Sequence, residues 1–239
     1  MAKKASDGVQ FFMSTYDEGI RKLFTDRGYR HTSDPMAADV VIFTGGADVT
    51  PFLYGERRHP TTHSSFMRDL AELKLLHRLR WDTPKIGICR GAQFLNVTVG
   101  RGLLFQDVDN HTREHEITDL YTGQTILASS THHQMMRPGP GAEILWVATE
   151  STKKSNDTAT WEATNPKIKA DFWTDPEVVY YDDGATLCFQ PHPEMRDVKF
   201  DKLREVFFDT VETYLLTKAQ WETLSAVRKG TGGGTQASL

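Results

Sequence analysis

Pro84-Lys85-Ile86-Gly87-Ile88-Cys89-Arg90-Gly91-Ala92-Gln93-Phe94-Leu95-Asn96-Val97-Thr98-Val99-Gly100 is the stretch that decides the fold. Pro84 stops the preceding helix, residues 85–88 are a short apolar run that reads as a strand, and residues 90–99 read as a helix closed by Gly100. A strand passing straight into a helix is half of a βαβ unit, so a parallel sheet is expected.

The same alternation continues outward. Residues 9–13 and 39–43 read as strands around a helix at 18–27, where Ile20, Leu23 and Phe24 recur at helical spacing. Gly45-Gly46 ends the second strand, and Phe66, Leu70, Leu73, Leu76 and Leu79 predict an amphipathic helix over 66–80. Residues 103–108 are another candidate strand. Toward the C-terminus, short runs at 125–127, 144–149, 178–181 and 186–190 predict added strands, some antiparallel, with Asp182-Asp183-Gly184 as a hairpin turn. Phe200, Leu203, Phe207, Val211, Tyr214 and Leu215 define a last helix. The expected architecture is α/β: one domain over residues 1–228, with a mostly parallel central sheet, flanking helices and some antiparallel strands. Residues 229–239 lack a core-forming pattern and read as a flexible tail. The polar stretch 151–175, with Trp161 and Trp173 as its large apolar anchors, reads as a long insertion.

Composition narrows the function. Of 239 residues, 38% are apolar and 25% charged, with a formal net charge of -4, and no dense Lys/Arg stripe suggests a nucleic-acid partner. The polar start Met1-Ala2-Lys3-Lys4-Ala5-Ser6-Asp7 does not resemble a signal peptide and no apolar run is long enough for a membrane span, so a cytoplasmic location is expected. Only two cysteines occur, Cys89 and Cys188, so neither a disulfide framework nor a thiolate metal site is indicated.

Gly87-Ile88-Cys89-Arg90-Gly91 has the pattern of a nucleophile elbow with cysteine in the place of serine. The turn forces its central residue toward a positive φ and leaves room only for small residues two positions away on either side. It also puts the thiol at a helix N-terminus, where unpaired N–H groups favour the thiolate. Cys188, inside an apolar run, reads as a small core residue. His192-Pro193-Glu194 follows the last candidate strand; residues two apart in extended chain face the same way, so Glu194 can orient His192 while the other ring nitrogen faces Cys89. For the oxyanion of acyl chemistry, the backbone N–H groups of Arg90 and Gly46 are the candidate donors.

These residues resemble the class I glutamine amidotransferase-like superfamily, and within it the peptidase C26 hydrolases that include γ-glutamyl-GABA hydrolase. The resemblance runs through Thr44-Gly45-Gly46-Ala47-Asp48-Val49-Thr50-Pro51 with Tyr54-Gly55-Glu56, Arg68-Asp69 with Glu72, the elbow with Ala92-Gln93, Ser130-Thr131-His132-His133-Gln134, and Gln190-Pro191-His192-Pro193-Glu194. It implies a flavodoxin-like fold and attack of Cys89 on the γ-carbonyl of glutamine or a γ-glutamyl amine, followed by water cleavage of a glutamyl thioester. It further implies substrate contact by Gln93, retention of the glutamyl α-amino and α-carboxylate groups by Ser130 and His132, and no metal or organic cofactor. Thr44 departs from the family's usual proline and Pro191 from its common aromatic. An alternative within the superfamily is a subunit supplying ammonia to a separate synthetase partner; Arg90 favours the free-standing hydrolase, because many ammonia-channelling relatives carry a small or apolar residue there. A metal hydrolase is disfavoured: His59/His63 and His111/His115 have metal-pair spacing only if helical, and Pro60, Asp109-Asn110 and Thr112 argue against helix, while His132/His133 are adjacent.

Overall fold

The computed structural model describes residues 8–150, 154–155, 175–217, 220 and 227. Its first half alternates β1 (Gln10–Met13), α1 (Glu18–Asp26), β2 (Arg30–His31), β3 (Val40–Phe43), α2 (Phe66–Arg78), β4 (Lys85–Ile88) and α3 (Arg90–Thr98). Then come β5 (Leu103–Phe105), β6 (Asp107–Val108), β7 (His115–Asp119), β8 (Thr125–Ala128), β9 (Met135–Arg137), β10 (Ala142–Ala148), β11 (Lys154–Ser155), β12 (Pro176–Tyr181), β13 (Thr186–Phe189) and α4 (Asp201–Tyr214). The tail 229–239 and most of the stretch 151–175 lie outside the described residues.

Among the described residues the main sheet runs β2-β1-β3-β4-β13-β12-β10-β7-β8. From β2 to β13 every pairing is parallel, and from β13 to β8 every pairing is antiparallel. The expected α/β class, with a parallel core and added antiparallel strands, is therefore what the structure has. Strands β3, β4 and β13 are buried throughout, as parallel strands covered on both faces must be. Alternate residues divide between two cores: Val40 and Ile42 pack with the α4 residues Leu203, Phe207 and Val211, whereas Val41 and Phe43 pack with the α3 residues Phe94 and Leu95. The predicted hairpin turn joins β12 to β13, closed by Ala185 N–H donating to the Asp182 carbonyl at 3.0 Å. Among the described residues no helix is long and apolar enough to cross a membrane.

Three local expectations change. The run 103–108 is two short strands, each paired outside the main sheet, β5 with β9 and β6 with β11. Strand β7 was not legible, because in His115-Glu116-Ile117-Thr118-Asp119 only Ile117 is buried and apolar alternation is absent. On α2, Phe66 is half exposed, and the fully buried positions are Asp69 and Glu72. Carboxylates can occupy a buried helix face only if cations meet them there. Arg90 does so from α3, pairing with both Asp69 and Glu72, and Arg68 adds a second contact to Glu72 at 3.3 Å.

Candidate active site

Parallel strands β3, β4 and β13 end at one level, with Phe43 opposite Gly87 and Ile88 opposite Phe189. Three segments therefore leave the sheet side by side at its carboxyl edge, where open α/β sheets place their ligands. They are Gly45-Gly46 after β3, Cys89 after β4, and Pro191-His192-Pro193-Glu194 after β13.

Cys89 adopts φ 51° and ψ -111°, a left-handed backbone that costs a non-glycine residue of order 1–3 kcal/mol. The bend closes because its flanks are bare. A Cβ on Gly87 would lie 2.4 Å from Ala92 N, and one on Gly91 would lie 1.9 Å from the Phe43 carbonyl oxygen. The Cys89 N–H donates to the Phe189 carbonyl at 2.9 Å, fastening the bend to the end of β13.

His192 meets the bend from that side. Its Nδ1 stands 2.6 Å from Glu194 Oε1, and the ring lines the same cavity as Cys89. Burial lowers the basicity of this ring, but the influence of neighbouring Cys89 and Glu194 outweighs it, and the pKa is raised to about 10. The imidazole is thus held as imidazolium at neutral pH. Gly45 packs against both groups, the place of its missing Cβ lying 3.3 Å from His192 Cε1 and 3.8 Å from Cys89 Cβ.

Two residues with no role assigned from the sequence hold His192. Ser129 Oγ accepts from the His192 N–H at 3.0 Å and donates to its carbonyl at 2.7 Å, and Thr131 Oγ1 lies 2.9 Å from Nε2. Thr131 belongs to a segment the sequence had flagged as substrate-side; Ser129 had no signal beyond standing next to it.

A cavity of about 350 Å³ opens over these groups, and Gly46, Cys89, Arg90, Gln93, His132 and His192 line it. Ser130, expected with them, is not in that lining: its hydroxyl donates to the His111 carbonyl. The Arg90 side chain points away into the ion cluster on α2, so only its backbone is at hand near the sulfur. That cluster also reaches the Gly45-Gly46 loop. Arg68 donates to the Thr44 carbonyl at 2.9 Å, and Asp69 accepts from the Thr50 N–H at 3.0 Å. Gln93 donates to the Gln134 carbonyl at 2.9 Å. Asp48 and His133, an ion pair at 3.3 Å, supply further charge in the cavity wall that sequence reasoning gave no role.

Cys188 lies fully buried on β13, and burial pushes its thiol well above the ordinary range. Cys188→Ala is expected to leave turnover within about twofold of the parent, as for a small core residue, and an inactive Cys188→Ala protein would contradict the assignment of the site.

The histidine pairs behave differently from expectation. His111 and His115 do come together, with ring centroids 4.6 Å apart, although His111 lies in a loop and His115 begins β7. Helical spacing is not needed when a loop bends back, and the condition that the sequence reading placed on this pair was too strict.

Comparison with known proteins gives the family and the fold. The chain is similar to the glutamine amidotransferase-like YvdE homolog of Lactococcus lactis subsp. cremoris, 37% identical over 97 residues, which span 40% of this chain and 50% of that protein. It is also similar to the carbamoyl phosphate synthase small chain of Ralstonia nicotianae, 26% identical over 133 residues, 53% of this chain and 33% of that one. The chain thus spans half or less of the length of these relatives. A glutamine amidotransferase structure from Thermotoga maritima shares the fold at TM-score 0.54 and 14% identity, covering 94% of both chains. The Peptidase C26 family model matches residues 32–156, more than half of the sequence, and the chain belongs to that family, within the class I glutamine amidotransferase-like superfamily.

Proposed function

We propose that the protein hydrolyses a γ-glutamyl amide, glutamine or a γ-glutamyl amine, through a thioester on Cys89. The observation that carries this reading is that Cys89 and His192 line one cavity, with Glu194 2.6 Å from the imidazole Nδ1. Cys89 Sγ, as thiolate, adds to the γ-carbonyl carbon. The carbonyl electrons move onto oxygen, where the backbone N–H groups of Arg90 and Gly46 are the proposed donors. Collapse breaks the C–N bond, and the imidazolium of His192 gives its Nε2 proton to the departing amine. Water then adds to the thioester, losing a proton to His192, and glutamate leaves as sulfur regains the electron pair. Glu194 keeps the ring oriented through both halves.

Gln93 and His132 are the candidate contacts to the glutamyl moiety. Ser130 is outside the cavity lining, with its hydroxyl hydrogen donated to the His111 carbonyl. Asp48 and His133 take its place in this reading as the charges suited to an α-amino and an α-carboxylate group.

A second reading is favoured by the similarity to a synthase small chain: a subunit that passes ammonia to a synthetase partner. One assay separates the two. Purified protein is given free glutamine and a panel of γ-glutamyl amines, with Cys89→Ala as the blank. Stand-alone turnover of at least one compound supports the hydrolase. Glutaminase activity that appears only when a synthetase is added supports the subunit, and no thiol-dependent release under either condition contradicts both.

A further inference from the structure

Behind the cavity wall, three histidines converge on one carboxylate. Nε2 of His111, His115 and His132 lies 3.2, 3.1 and 3.7 Å from Glu177 Oε1. They come from four places in the fold: the loop before β7, the start of β7, the loop before β9, and β12. His111, His132 and Glu177 are almost wholly buried, whereas the His115 side chain keeps 17% of its surface exposed.

The other ring nitrogen fixes the tautomer. His111 Nδ1 is 2.9 Å from the Asp109 carbonyl, His115 Nδ1 is 3.2 Å from that of Arg113, and His132 Nδ1 is 2.8 Å from that of Gln134. A carbonyl only accepts, so each Nδ1 carries its hydrogen. His115 Nε2 is at hydrogen-bond geometry from Glu177 Oε1, so a proton there would satisfy that one contact and leave the other two rings facing the carboxylate. Among the described residues, His111 Nε2, His132 Nε2 and Glu177 Oε2 nonetheless have no hydrogen-bond partner of acceptable geometry.

For His111, close approach to Glu177 without hydrogen-bond alignment is what a ligand on the edge of a coordination polyhedron shows, because its lone pair would point at the shared metal and not at its neighbour. Tetrahedral zinc with bonds of about 2.0–2.1 Å puts neighbouring ligand atoms about 3.3 Å apart. The contacts at 3.2 and 3.1 Å match that edge, and the ligand atoms of His111, His115 and Glu177 all lie within 4.8 Å of one another. Histidines that donate Nδ1–H to backbone carbonyls have the outer support of metal ligands.

We propose that His111, His115 and Glu177 form a binding site for one divalent cation of the zinc class. The ion would lie beside His132, a wall of the cavity, whose Nε2 is 3.7 Å from the same Glu177 oxygen. It touches no reacting atom, so its role is positioning, and the proposal stands apart from the amide chemistry of Cys89.

The test uses the full chain, free of any affinity tag, stripped with a chelator and dialysed against zinc or cobalt(II) alone. About one equivalent of zinc is expected per chain, with a rise in Tm. The cobalt form is expected to show the visible bands of a tetrahedral nitrogen–oxygen site. His115→Gln, at the partly exposed edge, and Glu177→Gln are expected to reduce uptake at least tenfold, while His31→Ala, distant on β2, retains it. X-ray absorption of zinc in the unmutated protein counts its imidazole ligands and requires no variant to fold; about two are expected. Absence of uptake at micromolar free zinc, uptake unchanged in both site variants, or a shell without imidazole would overturn the proposal.

Discussion

Glu72→Ala is expected to lower the unfolding free energy by about 3–5 kcal/mol, the usual cost of removing one partner from a buried ion pair. Glu72 is nearly inaccessible and contacts both Arg90 and Arg68, with Ser14 Oγ donating to it at 2.8 Å. Removing its carboxylate leaves the Arg90 guanidinium, 1% exposed, with Asp69 as its remaining anionic contact. The same cluster holds Thr44 and Thr50 on either side of the Gly45-Gly46 loop, so residual activity is expected to fall along with stability. Urea denaturation of parent and variant checks this. A change below about 1 kcal/mol, the range of an exposed pair, would show that the cluster is not the buried unit described.

The second large effect concerns the imidazole. His192→Ala is expected to reduce kcat roughly 10²–10⁴-fold, the range for loss of a general acid–base group, with the protein still folded. Glu194→Gln is expected to act through pH. Among the influences on His192, Glu194 accepts a hydrogen bond and adds a negative charge, and both raise its pKa toward about 10. Removing that charge lets the proton leave at lower pH, so the alkaline limb of kcat/KM moves down the pH scale. A limb that stays in place or moves upward would contradict the orienting role given to Glu194.

Legibility from the sequence followed the range of the physical constraint. The bend at Cys89 was readable because it depends on local bulk, and the near-contacts that side chains at Gly87 and Gly91 would make are its direct cause. The pairing of His192 with Glu194 was readable because side chains two apart in extended chain share a face. On α2 the leucine face packs as expected, with Leu73, Leu76 and Leu79 against the core, but the burial of Asp69 and Glu72 was not legible, since it depends on Arg90 arriving from another helix. Ser129 and Thr131 act across 63 and 61 residues of chain and Glu177 meets His115 across 62, and no spacing rule reaches that far. Ser130 stood in a motif that resembled a substrate segment, but one backbone carbonyl, that of His111, claimed its hydroxyl.

The account depends most on Cys89 being the group that attacks. Incubating the protein with a glutamine-like electrophile such as diazo-oxonorleucine, then mapping the adduct by peptide mass spectrometry, tests this directly. The predicted result is a single stoichiometric adduct on the peptide carrying Cys89, slowed in His192→Ala and absent in Cys89→Ala. A protein that stays unlabelled, or is labelled at Cys188 instead, would contradict it.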